Sequence, residues 1–295
     1  MRGAARRERR PGIAYTAAGR ARMPRDDAET REIVTDGSTL ESSGEGAAWA
    51  CDPLHVVWRR PLPHMAGEPM TRFLCRAVTA TFQHRVVVMR GIERVAPDRD
   101  PFVMILNHNM KLEAILLPTL FNYLRHGKLI RFMADWNFQL IPVVGALMRH
   151  GRVITVAQKP ARPKLLNVFR PLFRHETSAF SRARACLDAG GSVGIFIEGT
   201  INRSPDRLLP GHPGAARLSL ESRIPVLPVG VRFPEHGGDE PIRSTSRMAL
   251  SIGQPLEPPR SSTEGRAPRA EVHAWHETMM RELARLSGKR FTPRG

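Results

Sequence analysis

The chain has 295 residues, 41% of them hydrophobic and only 6% aromatic. That suits one large α/β domain with a core of Leu, Val, Ile, Ala and Met, or a smaller domain with a tail. Its 45 Lys and Arg against 28 Asp and Glu leave a formal charge of +17, a field that attracts phosphate groups. Most of the basic residues are Arg in an Ala- and Pro-rich chain, so charge alone selects no partner. No nucleic-acid motif is present and only two tyrosines are available for base stacking, so nucleic acid is not an expected partner.

Residues 1 to about 50 are rich in Arg, Ala, Gly, Ser and acids without periodicity, which predicts a disordered leader. Its start, MRGAARRERRPGIAYTAAGRARM, lacks the apolar centre of a signal peptide, and Met23 is an alternative start. Residues 51–290 read as a single domain. In PMTRFLCRAVTATF, residues 69–82, Phe73, Leu74, Ala77, Val78 and Phe82 fall near one helical face with Arg72 and Arg76 beside it. This is either a core-packing helix or one that lies on a lipid surface.

Short apolar runs then alternate with helical patterns. Residues 84–91 and 101–107 read as strands, 112–124 as a helix, 129–134 as a strand, 137–148 as a helix and 152–157 as a strand. A basic helical stretch, SAFSRARACLDAG, ends at Gly190 and Gly191, and strand 192–198 follows. Helix 214–223, strands 224–231 and 247–253, and an amphipathic helix at 270–286 complete the chain. Such alternation predicts an α/β fold, a mainly parallel mixed sheet flanked by helices on both faces, with chemistry at the loops beyond the strand ends.

No run reaches the roughly 18 apolar residues of a membrane span. Cys51, Cys75 and Cys186 are too scattered for a disulfide framework or a metal site and suit a reducing compartment. Cys186 reads as a small packing residue.

Three loops follow predicted buried strands. In LNHNMKLEAILLP, residues 106–118, Glu113 stands five positions after His108, a spacing that eleven histidines and 28 acids produce about once by chance. On a continuous helix the two would point about 140° apart. If the helix starts only near Asn109 or Met110, His108 stays in the loop and its ring can turn back to the carboxylate. A carboxylate on one ring nitrogen fixes the tautomer and leaves the other nitrogen to take a proton. In FIEGTINRSPDRLLPG, residues 196–211, Gly199 permits close backbone approach, Thr200 offers a hydroxyl, and Arg203 and Arg207 can grip a phosphate. A solvated surface loop is the other reading of that stretch. In IPVLPVG, residues 224–230, two prolines argue against an ordinary central strand, and Pro228 points to a bulge or strand end.

Taken in order, NHNMKLE, FIEGTINRS and IPVLPVG resemble the motifs of the glycerolipid acyltransferase family typified by 1-acylglycerol-3-phosphate acyltransferase. The segment RLLPGHPGAARLSLESRIPVLPVGV resembles it too, and the likeness covers roughly residues 73–253. It implies transfer of an acyl group from a thioester, on coenzyme A or acyl carrier protein, to the hydroxyl of a lysophospholipid, with no metal or other cofactor. His108 would be the general base and Glu113 its orienting acid. Asn107, Glu198, Gly199, Thr200, Arg203 and Pro228 match positions associated with substrate binding.

Two residues depart from the pattern. The family's aspartate is here Glu113, one methylene longer, and its arginine after Gly-Thr is Ile201, with Arg203 two positions on. Nor does Arg152, Lys159 or Arg162 stand cleanly where the family carries an arginine after the LIPVVG region. These departures leave open an acceptor without a glycerophosphate group, or a catalytically impaired homologue that binds anionic membranes. The expected location is the cytoplasm, peripheral on the inner face of the membrane.

Overall fold

The computed structural model describes residues 49–157, 160, 164–173, 176–236, 240–260 and 265–293; the expected leader lies almost wholly outside them. Helices α1 (Leu54–Arg59) and α2 (Pro69–Phe82) lead into strand β1 (Val86–Arg90). Next come β2 (Val103–Leu106), α3 (Glu113–Leu124) and β3 (Ile130–Asp135). They are followed by α4 (Pro142–His150), β4 (Ile154–Val156), α5 (Ala179–Asp188) and β5 (Ser192–Phe196). The chain continues through α6 (Gly214–Ser222), β6 (Val226–Arg232), β7 (Met248–Ile252) and α7 (Arg269–Ser287).

The strands form one sheet in the order β1-β7-β6-β2-β5-β3-β4. Every neighbouring pair is parallel except β6 with β7. The fold is therefore the mainly parallel mixed α/β sheet that the alternation predicts. The period of two along β2 divides its side chains between two cores. Met104 and Leu106 join the cluster under α2 and α3, while Val103 and Ile105 join the one under α5, α6 and α7. All four are fully buried, so β2 is covered on both faces and reads as a continuous apolar run.

Three expectations change. Pro228 lies within β6, which is central, between β2 and β7. The strand tolerates it because β7 leaves the ladder at that point. Pairing with β7 holds at Val229–Ile252 and returns only at the isolated bridge of Val226 with Leu256. The Pro228 carbonyl faces this gap and accepts the Gly253 N–H at 2.8 Å, so the missing proline N–H has no regular partner to lose. The opening of the ladder beside Pro228 was legible; the strand's central place was not.

The helix expected over 137–148 is split. A 3-10 turn spans Trp136–Leu140, and α4 starts at Pro142, whose ring suits a first helical position but not an interior one. Finally, α2 buries Thr71, Cys75 and Thr79, an i, i+4, i+8 line, and leaves Phe73 and Met70 exposed. Its apolar stripe and its buried stripe are different faces. Cys186 packs in the core as expected. Among the described residues, no helix is long and apolar enough to cross a membrane.

Candidate active site

The register of β2 on its neighbours places the first two loops together. Leu106 pairs with Phe196 of β5 and Val229 of β6, so residues 107–108 leave the sheet beside 197–198. Asn107 extends the ladder with its side chain: Nδ2 donates to the Val231 carbonyl at 2.8 Å, and Oδ1 accepts the Val231 N–H at 2.7 Å. Only an amide supplies a donor and an acceptor in this way; a carboxylate would lose the first bond.

His108 lies in the loop, and α3 begins at Glu113. A tight turn precedes the helix, closed by the Glu113 N–H on the Met110 carbonyl at 3.3 Å. The chain thus folds back, and Glu113 Oε2 meets His108 Nδ1 at 3.0 Å. The same oxygen accepts the Asn109 backbone N–H at 2.6 Å, and Oε1 accepts Asn109 Nδ2 at 2.9 Å. Glu113 is 0% exposed while the His108 side chain retains 13%. The carboxylate is thereby sealed and the ring reaches the surface. The Phe196 ring supports the imidazole, with centroids 4.4 Å apart. With Nδ1 held by Glu113, Nε2 is the nitrogen placed to exchange a proton with a ligand.

The second loop is fastened to the first. Glu198 Oε2 accepts the His108 N–H at 3.1 Å, and the His108 carbonyl accepts the Asn202 N–H at 2.7 Å. Glu198 Oε1 accepts Asn202 Nδ2 and the Leu209 N–H, both at 2.9 Å. Burial pushes the Glu198 carboxyl above its ordinary range, against these donors, which favour the anion. Gly199, at φ 65°, takes the left-handed turn beyond the strand, which a side chain would strain. Thr200 and Arg203 are exposed at the rim, and the Arg203 carbonyl is tied to the Ile242 N–H at 3.0 Å.

Residues 86–232, which run from β1 to the end of β6 and hold both loops, match the family model described as Acyltransferase. The chain belongs to the acyltransferase family. No curated protein sequence matches it. Among solved structures it is similar to the 1-acyl-sn-glycerophosphate (LPA) acyltransferase PlsC from Thermotoga maritima. The identity is 20%, 75% of this chain and 79% of that chain are covered, and the TM-score is 0.48.

Within the acyltransferase fold, six of the eight expected site residues gather at the ends of β2 and β5: Asn107, His108, Glu113, Glu198, Gly199 and Thr200. Arg203 follows on the same loop. Pro228 pairs with Ile105, one position short of the end of β2. It sits within β6 on the face of α7, where its ring lies near the position a Gly253 Cβ would take. The Glu198 carboxylate points inward and joins the two loops rather than facing the rim. Arg152 is at the opposite end of the sheet, before β4, paired with Glu68. Lys159 and Arg162 lie outside the described residues.

Three polar residues of the site were not singled out from the sequence. Asn109 and Asn202 sit inside the motifs, next to residues that were, and their roles depend on which way each amide turns. Lys289 gives no local signal at all. It follows α7, is 5% exposed, and Nζ donates to Asn109 Oδ1 and to the Ser204 carbonyl. Burial lowers its affinity for a proton, against the opposing pull of Glu198, Glu113 and Asp206.

Proposed function

We propose that this acyltransferase moves an acyl group from an acyl thioester, on coenzyme A or acyl carrier protein, to the hydroxyl of a lysophospholipid, with His108 as general base. The observation that carries this reading is the buried carboxylate of Glu113 on His108 Nδ1 at 3.0 Å. It orders the ring so that Nε2 faces the incoming hydroxyl, and it supports the imidazolium that forms. The hydroxyl oxygen attacks the thioester carbonyl carbon as Nε2 takes its proton. The tetrahedral intermediate then collapses, the carbon–sulfur bond breaks, and the proton passes from His108 to the departing thiolate. No acyl-enzyme is required. Thr200 and Arg203, exposed on the adjoining rim, contact the acceptor.

An amphiphilic acceptor and an anionic membrane surface fit the outer face of the same end of the sheet. The segments after β3 and β4 leave from the end that carries His108, because these strands run parallel to β2 through β5. They expose Phe138, Ile141, Val143, Val168 and Phe169, together with Leu165 at 82% and Leu172 at 77%. Such a hydrocarbon surface on a chain of charge +17 suits a bilayer with anionic headgroups. Ile201, standing where the family carries arginine, favours a second reading in which the acceptor has no phosphate at that place.

The test is turnover of labelled acyl-CoA by the purified chain with a panel of lysophospholipid and phosphate-free amphiphilic alcohols. Wild type should acylate at least one, and His108→Ala should lose about 100- to 10,000-fold of that rate. Equal turnover by the variant would remove His108 as the base. Turnover confined to phosphate-free alcohols would select the second reading.

A further inference from the structure

The segment matching the acyltransferase family ends at residue 232, yet a buried cation of the site comes from residue 289. The fold brings it there by a close packing of α7 on β6. A Cβ on Gly230 would lie 2.4 Å from the Leu286 carbonyl carbon, so only glycine lets the helix end settle on the strand. Gly288, at φ 67°, then turns the chain out of α7. The next residues dock into the second loop: the Arg290 N–H donates to the Asp206 carbonyl at 2.7 Å, and the Leu208 N–H donates to the Arg290 carbonyl at 2.9 Å. The Asp206 carboxylate, which also accepts the Ser204 hydroxyl at 2.6 Å, pairs with the Arg290 guanidinium.

Lys289, held between these anchors, has one atom that matters. An ammonium can only donate, so its contact with Asn109 identifies that side chain's carbonyl oxygen and turns the amide nitrogen toward Glu113. Asn107 Nδ2 also donates to that oxygen, but only at 3.4 Å; without Lys289, the Asn109 amide could rotate and present its oxygen to the carboxylate. Glu113 would then lose a donor and lie against a lone pair.

We propose that Lys289 is a positioning residue for acyl transfer: by donating to Asn109 Oδ1 it locks the amide nitrogen of Asn109 onto Glu113 Oε1, and so holds the carboxylate that orients His108. This rests on the reading of His108 as the general base. The charged groups facing Lys289 are Glu113 from the first loop and Glu198 and Asp206 from the second, with Asp206 also paired to Arg290. Those facing His108 are Glu113 at Nδ1 and Glu198 at its backbone N–H.

The experiment measures kcat and KM for the thioester, and the folded fraction, in the full chain with Lys289→Met, Lys289→Gln and Lys289→Arg, alongside His108→Ala. Met and Gln variants should lose about tenfold or more in kcat with KM changed less than about threefold. Lys289→Arg, which keeps a cationic donor for Asn109 Oδ1, should recover kcat to within about threefold of wild type. A purely structural role would lower the folded fraction and leave kcat per folded molecule unchanged. An unchanged kcat per folded molecule in the neutral variants, or an equal loss in Lys289→Arg, overturns the proposal. If Lys289→Met does not fold, the Gln and Arg pair decides. A flat response with an inactive His108→Ala removes Lys289 alone; an active His108→Ala removes the base and Lys289 together.

Discussion

Residues 107–113 and 198–209 hide charge, whereas the segments after β3 and β4 expose hydrocarbon, although all four regions leave the same end of one sheet. In the first pair, two carboxylates and three amides are buried and hydrogen-bonded, with the ammonium of Lys289 closing on them. Placing ions inside protein is costly, and the cost is offset only when each finds several partners. Glu113 has three such contacts and Glu198 has three. In the second pair, Leu165 and Leu172 stand nearly free of the protein. A geometry that must be rigid is built from internal polar bonds, and a surface proposed to meet disordered lipid needs no such bonds.

The largest effect should come from the polar region. Glu113→Gln places an N–H₂ group where donors now converge, and acyl transfer should fall about 100-fold or more in kcat, measured with the chain's best acceptor. Glu113→Asp separates position from charge. Although the acyltransferase family carries aspartate here, this loop is built around the longer side chain. Withdrawing the carboxylate by about 1.5 Å should therefore cost roughly tenfold in kcat, and the melting temperature should fall because buried donors lose their acceptor. Activity equal to or above wild type would show that the loop can close over the gap.

Gly230→Ala links the two ends of the chain. The added Cβ forces the end of α7 off β6, so stability should fall by about 1–3 kcal/mol in denaturant titrations. Activity should fall further than the folded fraction does, because Lys289 moves with the helix. At the apolar region, Leu165→Asp with Leu172→Asp should weaken binding to anionic liposomes at least about tenfold. Turnover of a water-soluble, short-chain acceptor should stay within about twofold, since neither residue touches the buried network. Loss of both activities together would end the separation of the two regions.

The smallest effect concerns the layer between α2 and α3. Burial pushes the Cys75 thiol up to about 12, and burial followed by the hydrogen bond to Asp52 pushes Tyr123 up to about 12. Both are raised above their unfolded values, so their contribution is present at lower pH and is lost as pH rises toward 12. The melting temperature should fall between pH 9 and 12. The fall should be shallower in Cys75→Ala, compared by thermal melts at each pH.

Much of the fold was legible because it depends on local pattern. Short continuous apolar runs marked buried strands, and Gly190 with Gly191 marked the end of α5. The meeting of His108 with Glu113 was legible as a condition: it required the helix to start late, and α3 starts at Glu113 itself. What misled was environment. Pro228 in a central strand depends on where β7 breaks its ladder, and the buried line of Thr71, Cys75 and Thr79 depends on which face α3 offers to α2. Neither is recorded in the residues concerned.

The sequence by itself determined which strands are buried, which loops carry the polar residues, and the five-residue spacing that lets a histidine and an acid meet across a turn. These follow from backbone periodicity and chain geometry over a few residues. The tertiary structure alone decided that Glu198 faces inward as a latch between loops, that Asn109 and Asn202 turn their amides onto the two carboxylates, and that Lys289 enters from 180 residues away. The reason is physical: the energy of a buried charge depends on which groups surround it in space, and that neighbourhood exists only once α7 has closed on β6.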